Sequence, residues 1–162
     1  MKSYKRFEIE LLEEYEKVNL YSIRFHGETD TEFEKFVKTF INDSTYKKDY
    51  KKIIYWIEVI SRKGALERHF RPESKMRDRI CAIPIETSKL RLYCLRISDE
   101  ILFLGNGGIK TSKTYNTDKH LSECVKILSS LDYFIKTKTE QKKIIIESKI
   151  IRGDLSFYLK EK

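Results

Sequence analysis

The stretch from Leu90 to Thr114, LRLYCLRISDEILFLGNGGIKTSKT, constrains the fold of this chain more than any other. Two apolar runs, Leu90 to Ile97 and Ile101 to Leu104, flank the short polar break Ser98-Asp99-Glu100, which is the composition of a tight β-hairpin. Gly105, Gly107 and Gly108 follow, then Lys110 and Lys113 among small hydroxyl residues, which predicts a flexible basic loop. Side chains alternate along a strand, so Arg91, Tyr93, Leu95 and Ile97 share one face and Leu90, Leu92, Cys94 and Arg96 the other. Cations therefore stand beside a rigid sheet, where a site for an anionic substrate can be held accurately.

The charge of the whole chain agrees. A net charge of +8 makes nucleic acid or another polyanion the first partner to consider. The excess is local: from Arg62 to Arg96 ten basic residues face four acidic ones, and this window leads directly into the hairpin. A plain solvated surface is the competing explanation for any one of these cations. No apolar run approaches the length of a membrane span, and the N-terminus lacks the apolar core of a signal peptide, so a cytoplasmic protein with no membrane partner is expected. Cys81, Cys94 and Cys124 have no C-x-x-C spacing, and two lie in apolar strand-like runs. Buried free thiols are expected rather than disulfides or zinc ligands. At 162 residues, with two prolines and no low-complexity tract, the chain reads as a single domain, 1–162.

Along the chain, residues 1–19 are ambiguous. Phe7, Ile9 and Leu11 alternate as in a strand, whereas Leu12, Tyr15 and Val18 keep helical spacing among glutamates, which favours helix in the second half. Tyr21, Ile23 and Phe25 alternate with polar residues and predict a half-buried strand. Thr29-Asp30-Thr31-Glu32 reads as a capping box before a helix carrying Phe33, Phe36, Val37, Phe40 and Ile41. A second helix, Tyr46 to Lys63, turns Tyr50, Ile53, Ile54, Ile57 and Ile60 inward and stops at Gly64. Residues 65–79 have no clean period, and Pro72 blocks a helix there. Ile80 to Glu86 is a short strand that Pro84 pushes towards a sheet edge or a bulge. After the hairpin, Asp118 caps a third helix with Leu121, Val125, Leu128, Leu131 and Ile135 inward. The charged, β-branched tail from Lys136 has no settled reading.

The expected order is β-α-α-β-β-β-α: an α+β fold with an antiparallel meander, helices covering one face of the sheet and the other face partly open. Residues 20–135 form the core of this scheme, with extensions at 1–19 and 136–162.

With these residues in view, Leu90 to Tyr115 resembles the end of RelE/HigB-type toxins, including their phage-derived HigB-like branch. The strand opening is Leu90-Arg91-Leu92, the apolar strand is Ile101 to Leu104, and the loop is Gly107-Gly108-Ile109-Lys110-Thr111-Ser112-Lys113-Thr114. It departs from the family pattern where Thr111 stands in place of a second basic residue and where both ends run on. The resemblance implies a RelE/ParE-toxin-like fold and a metal-independent mRNA endoribonuclease, the toxin of a type II toxin–antitoxin pair. It further implies action on messenger at the ribosome and a small DNA-binding antitoxin as partner. No cofactor is implied.

Cleaving RNA in this way means that a ribose 2′-OH attacks the neighbouring phosphate. The step needs a proton acceptor, charge stabilisation on the phosphoryl oxygens and a donor to the leaving 5′-oxygen. Arg91, Lys110 and Lys113 are the candidates for charge stabilisation, and Tyr93 or Tyr115 for proton transfer or base stacking. Lys75, Arg77, Arg79 and Arg96 would flank the RNA. The rival chemistry is a histidine pair drawn from His26, His69 and His120. No carboxylate or Cys/His cluster has metal-ligand spacing, and the glycines do not match a Walker or Rossmann pattern. Two other classes stay open: a ParE-like poison of DNA gyrase, and a noncatalytic RNA-binding or interaction module.

Overall fold

A computed structural model describes residues 3–72, 79–83, 89–111 and 118–160. Two strands open the chain, β1 (Tyr4–Glu14) and β2 (Asn19–Phe25), followed by helices α1 (Glu32–Phe40) and α2 (Lys47–Lys63). Next come β3 (Arg71–Pro72), β4 (Ile80–Ala82), β5 (Leu90–Ser98) and β6 (Ile101–Ile109), then the long helix α3 (Lys119–Glu140). Three short strands end the described chain: β7 (Ile144–Glu147), β8 (Ile150–Gly153) and β9 (Ser156–Lys160). The main sheet has the order β3-β4-β5-β6-β2-β1-β9, and β7-β8 form a separate hairpin. The fold is α+β.

The meander β4-β5-β6 is antiparallel, as expected, and β5 turns into β6 at Asp99-Glu100. β2, however, joins β6 in parallel through Asn19–Tyr21 and Ile101–Phe103, so the sheet is mixed. A second correction concerns the second half of residues 1–19, where helix is favoured by spacing: the strand suggested by Phe7, Ile9 and Leu11 continues to Glu14. β1 is held on both sides, by β2 and by β9, and Phe7 stacks on Phe157 with ring centroids 5.0 Å apart. Two-sided pairing of an alternating segment outweighs the helical spacing of Leu12, Tyr15 and Val18.

The helices divide between the two faces, which overturns the expectation of one covered face. α1 and α2 bury Phe36, Phe40, Tyr50, Ile53 and Ile60 against Leu90, Leu92, Cys94, Leu102 and Leu104. α3 buries Leu121, Val125, Leu128, Leu131 and Ile135 against Tyr93, Leu95, Ile101 and Phe103 on the opposite side. The reason is visible in β5, where Leu90, Leu92 and Cys94 on one face and Tyr93 and Leu95 on the other are all buried. A strand apolar on both faces needs a layer on each. The two sides of β5 are those predicted by its alternation.

The cap of α1 lies two residues beyond the expected one. Thr31 is the N-cap: its Oγ1 accepts from the Glu34 N–H at 3.2 Å, and the Glu34 carboxylate accepts from the Thr31 N–H at 3.0 Å. Thr31 also bridges Arg24 of β2, which fixes where the helix can start. Gly64 ends α2 with φ +98°, as its stop role requires. The three cysteines are free and buried.

Both ends of the chain are part of the same sheet. β9 pairs with β1 across a separation of about 150 residues, with the Arg6 guanidinium donating to Ser156 Oγ. The β7-β8 hairpin is clamped to β2, where Asn19 Nδ2 and the Tyr21 hydroxyl both donate to the Lys149 carbonyl, at 3.0 and 2.9 Å. Ile144 and Ile151 close that end of the core. Among the described residues no helix is long and apolar enough to cross a membrane.

Candidate functional site

The glycines are the first element of the site, and they are not a loop. β6 continues through Gly105, Gly107 and Gly108 to Ile109. A Cβ on Gly105 would lie 3.1 Å from Leu128, and one on Gly108 would lie 3.1 Å from the His120 ring and 3.3 Å from Leu121. A Cβ on Gly107 would fall 1.8 Å from the Arg91 carbonyl oxygen. The missing side chains let the first half of α3 lie on the strand and let β5 approach closely where β6 carries an extra residue between Leu104 and Gly107, opposite Leu92 to Cys94.

This packing brings the hairpin and the start of α3 to one corner. Arg91 pairs with Gly108, and the ladder continues outward, with the Lys110 N–H donating to the Lys89 carbonyl at 2.7 Å. Residues directly opposite in an antiparallel pair share a face, and the side-chain period is two. Gly108 faces His120 and Leu121, so Lys89, Arg91 and Lys110 fall on the α3 side of the sheet, beside the first turn of that helix. Arg91 and Lys110 are half-buried, and Lys89, Lys119 and His120 are exposed. Asp118 holds the turn, accepting from the Leu121 N–H at 3.2 Å and from the Thr111 hydroxyl at 3.3 Å.

His120 is held in one orientation by the strand: its Nε2 lies 2.8 Å from the Gly107 carbonyl oxygen. A carbonyl can only accept, so Nε2 carries the proton and Nδ1 of the neutral ring keeps its lone pair. Cys124, one turn further along, has its Sγ 3.7 Å from the same Nε2. Burial pushes its thiol up to about 12, with Glu32 and Glu123 acting in the same direction. A thiol held protonated is not a nucleophile, so Cys124 is part of the packing under the histidine.

The N-terminus of α1 carries a buried acid. Glu32, the first residue of α1, is raised above its ordinary value by burial, against the opposing influence of Lys35 and His120. Its carboxylate is 2.6 Å from Lys35 Nζ, which also meets Glu28 at 2.6 Å. Burial alone would lower the Lys35 pKa, but these two carboxylates outweigh it and hold it above its ordinary value.

The other sequence-derived candidates are placed elsewhere. Tyr93 is fully buried in the core under α3. Arg79 is bound to the buried Asp132 of α3, with Nε donating to Oδ1 at 3.1 Å and a second nitrogen on the same oxygen. Arg96 points to the α2 side, where its Nε donates to the Ala65 carbonyl at 2.6 Å and its guanidinium pairs with Asp99 and Glu67. It pins the hairpin turn to the end of α2. Lys75, Arg77, Lys113 and Tyr115 lie outside the described residues. Of the histidines, His26 is exposed at the end of β2, and His69 is buried 6.1 Å from Trp56 on the α2 side, where desolvation lowers its pKa. His69 and His120 therefore belong to opposite faces. Among the described residues there is no group of three or more His, Cys, Asp or Glu side chains able to hold a metal ion.

His120 is the residue that sequence reasoning undervalued. Its signal was position: it follows the Asp118 cap by two residues, directly after the basic stretch. Comparison of the chain with protein-family profiles, curated proteins and solved structures finds no match.

Proposed function

We propose that this protein is a metal-independent endoribonuclease that cuts messenger RNA by 2′-OH transesterification, acting in the cytoplasm as the toxin of a toxin–antitoxin pair. The observation that carries the reading is the common face of Arg91, Lys110 and His120 at the corner of β5, β6 and α3. Arg91 would take two phosphoryl oxygens in its planar fork, and Lys110 would add a second positive charge as the phosphorane forms. His120, its Nε2–H fixed on the Gly107 carbonyl, would accept the 2′-OH proton at Nδ1. The attacking oxygen then closes a 2′,3′-cyclic phosphate, and the 5′-oxygen leaves with a proton from solvent or a neighbouring lysine.

The antiparallel β4-β5-β6 meander between α2 and α3 supports a RelE/HigB-like reading, although the short β3 adds a strand to the expected order. A small DNA-binding antitoxin with an acidic or apolar segment would neutralise the corner.

The test is purified protein added to a translating extract, with messenger cleavage mapped by primer extension. Cuts within ribosome-bound codons, ending in 2′,3′-cyclic phosphate and insensitive to chelator, support the reading. DNA breakage or loss of supercoiling would replace it with gyrase poisoning, and salt-sensitive RNA binding without cuts would replace it with a noncatalytic module.

A further inference from the structure

Helix α3 from Lys126 onward and the rim strand β9 line a groove of about 810 Å³ that shares no residue with the corner. Its first residue on the helix, Lys126, lies about 9 Å along the axis from His120, and Tyr133 about 20 Å, given 1.5 Å per residue. Its floor is apolar: Phe134 stacks on Phe157 with ring centroids 5.0 Å apart. Its walls carry Tyr4, Tyr133 and Tyr158, which are 54%, 73% and 65% exposed. Three of the four tyrosines more than half exposed among the described residues thus meet in one place. Lys126, Lys138 and Lys160 line the same groove, and among the described residues no carboxylate does. Lys138 also reaches Asp154 at 3.6 Å, at the mouth of an adjoining hollow that contains Arg6.

Exposed aromatic rings are a cost to a folded chain unless something covers them. Rings interleaved with cations around an apolar floor match one ligand chemistry: unpaired bases that stack, joined by phosphates that pair with ammonium groups. A duplex offers no open base faces to such a surface, and an apolar peptide has no use for three lysines.

We infer that the groove between α3 and β9 binds single-stranded RNA, with bases stacked on Tyr133 and Tyr158 and phosphates on Lys126 and Lys160. The inference rests on RNA as the ligand of this protein, and not on cleavage at the corner. The groove would hold a strand some distance from the cut, adding affinity without base specificity.

The experiment is fluorescence anisotropy of the full chain with labelled dodecauridine and with a duplex of equal length, over a salt series. Dodecauridine is expected to bind more tightly. Tyr133→Ala and Tyr158→Ala should each weaken it about tenfold with unchanged thermal melts, since both rings are exposed. Tyr133→Phe should stay within twofold of wild type, because the ring and not the hydroxyl stacks. Lys126→Gln should reduce the slope of log affinity against log salt by about 0.7.

Unchanged affinity in both alanine variants, or tighter binding of the duplex, overturns the inference. So does a self-association, seen by sedimentation, that Tyr158→Ala abolishes while RNA binding persists, since the groove would then seat a second copy on the β9 edge. The two readings separate: cutting abolished by Arg91→Ala with tyrosine variants of normal affinity leaves the nuclease standing and removes the groove, whereas weakened tyrosine variants with no RNA ever cut do the reverse.

Discussion

The corner of β5, β6 and α3 and the groove beside β9 are both basic, yet they are built on opposite plans. The corner takes its residues from neighbouring strands, fixes them on a flat ladder and exposes few rings. The groove takes Tyr4 from the first strand, Lys126 to Lys138 from the last helix and Tyr158 to Lys160 from the last strand. It presents exposed aromatic rings. Rigid cations suit a phosphate whose charge changes during a reaction, whereas exposed rings suit a strand that need only be held. The density of positive charge in the sequence does not separate the two. Arg79 and Arg96, from the most basic window, are engaged by Asp132, Asp99 and backbone carbonyls, while the groove lysines lie outside that window.

The contrast is broken most severely at Gly107. Gly107→Ala puts a methyl group onto the Arg91 carbonyl and should cost about 3 kcal/mol or more, or prevent folding, as measured by urea denaturation. A variant as stable as wild type would mean that the close approach of β5 and β6 does not shape the corner. Arg91→Ala should lower cleavage about 100-fold or more with little change in melting temperature, since its loss leaves Tyr93 and Leu95 packed. Full activity would remove the corner's principal residue.

Arg79→Ala should cost about 2–3 kcal/mol and leave RNA affinity unchanged, because Asp132 would remain buried with, among the described residues, the exposed Lys136 as its remaining cation. Lost affinity with retained stability would return Arg79 to the RNA surface. The smallest effect concerns Glu32. Its carboxyl is raised in the fold, so the native state binds its proton more tightly than the unfolded chain does. The protonated contribution is complete below the ordinary value of 4.5 and is lost as pH rises through the raised value. Glu32→Gln should therefore add about 0.5–1 kcal/mol at pH 7 and nothing at pH 4, checked by thermal melts at both. A lower melting temperature at pH 7 would show that the pair with Lys35 outweighs the burial cost.

How much of this is legible in the sequence follows from how local each cause is. The three helices and the hairpin are written in nearest-neighbour periodicity: Phe36 and Phe40, Tyr50, Ile53 and Ile60, and Leu121, Val125, Leu128, Leu131 and Ile135 fall inward as their spacing requires, while Ile54 and Ile57 are half-buried and Ile41 is exposed. Gly64 and Asp118 punctuate helix ends with a mechanism of their own. The alternation of Phe7, Ile9 and Leu11 already marks a strand, but how far it runs, to Glu14, is settled by its partners β2 and β9 and not by local spacing. The glycines of β6 were read as a flexible loop because the surface that requires them belongs to α3. Arg79 looked like a free cation because its partner lies 53 residues on. The corner was partly visible, through Arg91 and Lys110. The groove was invisible, since no window of sequence contains it.

The pairing of β1 with β9 has a consequence for how the molecule is made. Among the described strands β1 and β9 are the farthest apart in sequence, so the outer edge of β1 stays bare until β9 docks on it. Contacts that distant in sequence are the slowest to form. The rim, and with it the place where the tyrosines assemble, is therefore finished last. A chain halted before Ser156 would carry an unprotected, partly apolar strand edge of the sort that pairs with the wrong neighbour.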